Sequence, residues 1–160
     1  MIVLDTNVIS ELRKKPHNQD PKVCAWSQTQ SASAFYLTTL TIMEIERDTL
    51  MEEAKNSPRG PALRTWFNAL RMAYAGHVLP FNEGAAIRAA QLAGGNRSTV
   101  DLMIAAIALE FGYALATRNA AHFNFPGLVV VDPWAWSVRR RITPTQSSQA
   151  ACCSRHRPPG

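Results

Sequence analysis

The residues that could do chemistry in this chain are acids that interrupt apolar runs. MIVLDTNVIS drives four apolar residues into Asp5, with Thr6 and Asn7 behind it. A charge at the end of a buried run is costly unless something compensates it. One compensation is helix capping, since Asp, Thr and Asn all favour the position before a helix. The other is a ligand site at the carboxyl end of a strand. Asp101 poses the question more sharply. Residues 102–109, LMIAAIAL, are apolar all round, so as a helix they are buried on every face. No Lys or Arg stands at helical spacing behind Asp101 to pair with it, and an unpaired buried carboxylate is expensive.

Two spacings favour capping instead. Glu44 follows Thr41 by three residues and Asp101 follows Ser98 by three, the separation at which an acid reaches back to a cap residue's N–H. The helix expected from Thr41 carries Glu44, Glu46 and Asp48. Glu44 and Asp48 share a face and Glu46 points nearly opposite, so periodicity leaves Glu44 and Asp48 as alternatives. Glu46, Glu52 and Glu53 read as a solvated face. Asn119 adds an amide just beyond the strand-like YALAT. Hard oxygen donors without His or Cys suit Mg²⁺ or Mn²⁺ rather than zinc. Such an ion among carboxylates is the apparatus for hydrolysing a phosphodiester.

These positions need elements to hold them. MIVL reads as a buried strand, followed by short helices over Asn7–Lys15 and Pro21–Gln28. FYLTTL (35–40) is a second strand, and a helix runs from Thr41 to about Asn56, before the Ser-Pro-Arg-Gly-Pro break at 57–61. Leu63, Trp66, Phe67, Leu70 and Tyr74 recur at helical spacing over 62–74. HVLPF is a short strand, and Asn82 caps a helix that ends in the Gly94-Gly95 turn. A helix over 100–112 closes at Gly112, and strands follow at 113–117 and 128–132. This alternation predicts an α/β sandwich with a mainly parallel sheet, whose ligands sit beyond the carboxyl ends of its strands. Asp5 and Asn119 both fall on that edge.

Composition bounds the rest. The chain has 160 residues, 46% of them hydrophobic and 18% charged, which suits one globular domain with a real core. Nothing in it reads as a membrane span or a signal peptide. Cys24, Cys152 and Cys153 form neither a disulfide framework nor a zinc spacing, so a reducing cytoplasm is expected. The net charge of +5 comes entirely from Arg139, Arg140, Arg141, Arg155 and Arg157, because residues 1–137 are formally neutral. The expected organisation is a domain over 1–136 and a basic, disordered tail over 137–160. Such a tail can bind nucleic acid non-specifically or have no role. A phosphate-transferring hydrolase would want a second acid two residues after Asp5, where Asn7 stands. A receiver domain would want a paired acid, a phosphoacceptor on a middle strand and a late Lys, which are not found.

With those residues in view, the chain resembles the PIN-domain ribonucleases, specifically the VapC toxins of type II toxin–antitoxin modules. MIVLDTNVISEL resembles that family's first strand and turn, TTLTIMEIE its second acidic motif, and VDLMIAAIALEFGYALATRNAAHF its third-aspartate helix and following strand. VDPWAW is similar to its terminal strand. The resemblance selects Glu44 over Asp48 and implies a PIN-like three-layer α/β/α sandwich. It implies a Mg²⁺- or Mn²⁺-dependent endoribonuclease in which Asp5, Glu44 and Asp101 hold the metal and Asn119 assists. Water would attack in line, leaving a 5′-phosphate and a 3′-hydroxyl. Thr6 would steady the turn around Asp5 or reach the acids. Arg118 would meet substrate phosphate or an internal acid, and His122 reads as a surface or turn residue. The substrate class is structured RNA, often transfer RNA. The implied partners are a second copy, as a homodimer, and a cognate antitoxin through which any DNA contact is indirect, with no membrane. The sequence departs from the family at Asn119, where Asp is common, and at Asp48, where a small residue is common. The connection 92–100 is also shorter than usual. The alternative is a catalytically inactive PIN module that acts by binding RNA or protein.

Overall fold

A computed structural model of the chain describes residues 1–94 and 98–137. Five short strands, β1 (Ile2–Leu4), β2 (Phe35–Thr38), β3 (Val78–Leu79), β4 (Ala114–Ala116) and β5 (Val130–Val131), form one parallel sheet in the order β3-β2-β1-β4-β5. Ile2 lies beside both Phe35 and Ala114, so β1 is central and its two neighbours come from far along the chain. Parallel strands need crossover connections. Among the described residues six helices supply them: α1 (Thr6–Leu12), α2 (Pro21–Gln28), α3 (Thr39–Ala54), α4 (Arg59–Ala73), α5 (Glu83–Leu92) and α6 (Thr99–Glu110).

The two-residue period of the strands sorts the core into two layers. Val3 and Leu115 face Ala85 of α5 and Ile104, Ala105, Ile107 and Ala108 of α6. Leu4, Leu37 and Ala116 face the other way, toward Val8, Trp26, Ile45 and Phe67 of α1 to α4. The result is the expected three-layer sandwich. Fully burying a Leu- or Phe-sized side chain contributes about 1.5–3 kcal/mol, so these layers dominate the stability.

Several boundaries differ from the sequence expectation, each for a local reason. The Thr38 hydroxyl accepts the Thr41 N–H at 3.0 Å, so α3 starts at Thr39 and Thr38 is its cap. That removes the capping role for Glu44, which sits inside the helix. Capping also claims Asp5, which accepts the Thr6 N–H and starts α1 one residue before Asn7. α4 begins at Arg59 and takes in Gly60 and Pro61, because a missing N–H costs nothing in the first turn. Asn82 caps α5 as expected, accepting the Ala85 N–H at 2.9 Å. Gly112, at φ +67°, turns the chain out of α6. The strands are shorter than the apolar runs that signal them. Gly95, part of the 92–100 connection, and the arginines from Arg139 onward lie outside the described residues. Among the described residues no helix is long and apolar enough to cross a membrane.

Candidate active site at the carboxyl edge of the sheet

β1 feeds a connection to β2 on one side, while β4 lies on its other side, so the strand order reverses between β1 and β4. In open α/β sheets this switch point leaves a crevice at the carboxyl ends. Asp5 stands at the end of β1 and Thr117 at the end of β4. They are locked together: the Asp5 N–H donates to the Ala116 carbonyl at 3.0 Å, and the Thr117 hydroxyl donates to Asp5 Oδ2 at 2.6 Å.

Asp5 is only 7% exposed and its carboxylate is crowded with donors. Oδ1 accepts the Thr6 N–H at 2.7 Å, and Oδ2 also accepts from Asn7 Nδ2 at 2.7 Å. Asn7 Nδ2 further meets Thr117 Oγ1 at 3.1 Å, and its Oδ1 accepts the Arg118 N–H at 3.2 Å. Asn7 is therefore a brace between two strand ends. Neither it as a brace nor Thr117 was singled out by sequence reading. The available signal for Thr117 was its position as last residue of YALAT, the counterpart of Asp5 after MIVL.

Glu44 arrives from the second turn of α3 and its Oε2 accepts the Thr6 hydroxyl at 2.5 Å. Thr6 therefore reaches the acids, by its backbone to Asp5 and by its side chain to Glu44. Asp48, on the same face by periodicity, lies one turn further out, with its side chain 59% exposed and 3.6 Å from Arg47. Asp101 stands in the first turn of α6, where the helix dipole favours a negative charge. Ser98 caps that helix and accepts the Asp101 N–H at 3.4 Å. Asp101 is at the lip of the core rather than sealed in it, and its Oδ2 meets Nδ1 of His122 at 3.3 Å.

The three acids come from three separate elements and sense one another. Burial pushes the Asp5 carboxyl above its ordinary value, and the charge of Asp101 pushes the same way, against the pull of Thr117, Thr6 and Asn7. Glu44 is also raised, first by burial and then by Asp5 and Asp101, against the Thr6 hydroxyl and Arg47. Among the described residues, no Lys or Arg forms an ion pair with Asp5, Glu44 or Asp101. Nor do any three His, Cys, Asp or Glu side chains there stand close enough to grip an ion unaided.

Asn119 is exposed beyond β4. Its backbone N–H donates to Thr117 Oγ1 at 3.0 Å and its carbonyl accepts the His122 N–H at 2.9 Å. Arg118 lays its guanidinium over the Trp134 ring, 5.3 Å from the centroid, and engages no internal acid among the described residues. The expected solvated face of α3 needs correction: Glu46 and Glu53 both grip Arg64 of α4, at 2.6 and 2.9 Å, and tie the two helices together.

The PIN domain family model matches residues 2–127. The chain is 36% identical over 142 residues to plasmid stability protein StbB of Pseudomonas syringae pathovar tomato, covering 84% of this chain and 99% of that protein. It is 35% identical over 150 residues to VapC ribonuclease Y4jK of Sinorhizobium fredii, covering 84% and 98%. Among solved structures, FitAB bound to an IR36 DNA fragment superposes with a TM-score of 0.76 at 30% identity, covering 88% of this chain and 100% of that one. The family model spans most of the chain and both relatives match over most of its length, so the chain belongs to the PIN-domain family.

Proposed function

We propose that this protein is a divalent-metal-dependent endoribonuclease, the toxin of a toxin–antitoxin pair. The observation that carries the proposal is the convergence of Asp5, Glu44 and Asp101 at the switch point, with no Lys or Arg paired to them among the described residues. Asp5 and Glu44, whose protonation is favoured by burial and by neighbouring acids, are in an environment a divalent cation would relieve. The donor set fits Mg²⁺ or Mn²⁺: all oxygen, with acids too widely set to enclose a bare ion. A hydrated ion that uses one or two carboxylates and completes its shell on substrate phosphate suits that spacing. When bound, the ion supplies an activated water and offsets charge on phosphoryl oxygens.

The chain's own residues do the positioning. Thr117, Asn7 and the Thr6 N–H fix the Asp5 carboxylate, and the Thr6 hydroxyl fixes Glu44, so neither has to be ordered when substrate arrives. Asp101 brings the third charge from α6. Asn119 adds an amide at the exposed rim, where it orients water or substrate. Arg118, held on Trp134 beside that rim, is available to an RNA phosphate. The relatives' names, a VapC ribonuclease and a plasmid stability protein, support an RNA-cleaving toxin with a cognate antitoxin. The reading extends to structured RNA such as transfer RNA as substrate, a homodimer, a cytoplasmic location, and DNA contact only through the antitoxin. The nuclease domain is residues 1–136, and truncation after residue 137 is expected to leave cleavage intact.

The test is cleavage of RNA by purified protein with Mg²⁺ or Mn²⁺, with and without EDTA, for wild type, Asp5→Asn and Asp101→Asn. Cleavage that requires the metal and both acids supports the reading. Undiminished cleavage by both variants would sink the assignment, whereas RNA binding without any cleavage by wild type would favour the inactive-module alternative that the amide at Asn119 suggests.

A further inference from the structure

We infer that His122 is a positioning residue for Asp101, and that it thereby tunes how tightly the acidic cluster takes up a divalent cation. The inference rests on the metal-dependent reading above. His122 lies on the 3-10 turn Ala120–Phe123, and among the described residues its ring is the polar group that meets the Asp101 side chain, Nδ1 to Oδ2 at 3.3 Å. An ionised carboxylate only accepts hydrogen bonds, so this contact puts the proton on Nδ1.

Exposure alone would make such a contact incidental, since the His122 side chain is 64% exposed. The turn beneath it is not loose, however. The next residue, Phe123, is 1% exposed and packs into the same core layer as Ile104 and Ile107 of the Asp101 helix. The His122 N–H donates to the Asn119 carbonyl, and the Asn119 N–H donates to the Thr117 hydroxyl, which itself donates to Asp5. A continuous path of hydrogen bonds and packing thus runs from Asp5 at the end of β1 to Asp101 at the start of α6. His122 is its last link. Partners of this kind, one bond removed from a metal, orient the ligand carboxylate, and their loss weakens metal affinity by roughly 10–100-fold. For a single long, exposed contact the low end of that range is expected.

The experiment is calorimetric titration of Mn²⁺ into wild type, His122→Ala, His122→Asn and His122→Gln, with thermal melts of each by circular dichroism. The amide nitrogen of Asn superposes on Nδ1 of His, whereas that of Gln superposes on Nε2. His122→Ala is expected to weaken Mn²⁺ binding by about tenfold, His122→Asn to restore most of it, and His122→Gln to behave like the Ala variant. The Asn–Gln contrast carries the test even where Ala loosens the turn. Wild-type affinity in His122→Ala, or equal rescue by Asn and Gln, overturns the inference while leaving the metal reading intact. A wild type that takes up no Mn²⁺ overturns the metal reading itself, and this inference with it.

Discussion

Two acids at opposite ends of α1 are equally buried and are driven in opposite directions. Asp5, 7% exposed, is pushed up by burial and by Asp101. Glu11, 6% exposed, is pulled down: Lys14 sits 2.6 Å from its Oε2, and the Asp20 N–H donates to its Oε1 at 2.8 Å. Glu11 thereby joins α1 to the cap of α2, since Asp20 starts that helix by accepting the Lys22 and Val23 N–H groups. Burial does not distinguish the two; the company each keeps does. An acid buried with a cation and a backbone donor is part of the scaffold. An acid buried beside other acids with no cation costs the fold stability, which marks it as a candidate for function.

The comparison can be broken most directly by activity. Asp5→Asn and Asp101→Asn are each expected to reduce metal-dependent RNA cleavage by about 10³-fold, on the scale of losing one group that stabilises developing charge. Glu11→Gln should leave cleavage near wild type, and a comparable loss there would erase the distinction.

Stability should invert the ranking. Glu11→Gln loses the Lys14 pair and weakens the acceptor for Asp20, a cost of about 1–3 kcal/mol in urea unfolding. Glu44→Gln keeps an oxygen for the Thr6 hydroxyl while removing a repelled charge, so its unfolding midpoint at neutral pH should be no lower than wild type. Thr117→Val belongs to both classes. It strips a donor from buried Asp5 and an acceptor from the Asn119 N–H, costing about 1–3 kcal/mol and lowering cleavage without removing an acid.

The pH dependence sharpens the same point with a smaller signal. The folded value of Glu11 lies below its ordinary 4.5, so its contribution is present above 4.5 and lost as pH falls through the folded value. The gap between wild type and Glu11→Gln should therefore close in acid. The folded value of Glu44 lies above 4.5, so any advantage of Glu44→Gln is full at neutral pH, shrinks as pH falls through the folded value, and is gone below 4.5. Urea unfolding at several pH values reads both: as pH falls, wild-type minus variant stability should drop toward zero for Glu11 and rise toward zero for Glu44, and a change of the same sign in both would refute the assignment. The smallest effect is expected from Arg64→Met. It releases the partly exposed Glu46 and Glu53, where paired charges contribute little, and should leave cleavage untouched.

Much of this was legible in the chain itself. Apolar runs ending in polar residues marked β1, β2 and β4, and the all-apolar stretch after Asp101 marked the buried helix. Asp5 and Asp101 stood out because each borders an apolar run, where a charge is costly unless capping or a ligand compensates it. What stayed hidden were groups whose types are ordinary. Asn7 looked like a helix cap until Asp5 was seen to take that position. Thr117 looked like the end of a strand. His122 looked like a turn residue, which it is, but no local pattern places it against an acid 21 positions earlier.

The sequence by itself determined the alternation of strands and helices, the two-sided core and the acids worth attention, because periodicity and the cost of an unpaired charge are local properties. Only the tertiary structure brought Glu44, and not Asp48, against Thr6, turned Glu46 and Glu53 from a solvated face into the grip on Arg64, and joined Asp5 to Thr117 across 112 positions. The reason is physical. A carboxylate's charge state and orientation depend on which groups share its few ångströms of space, and in a parallel sheet those groups arrive from strands and helices that are distant in sequence.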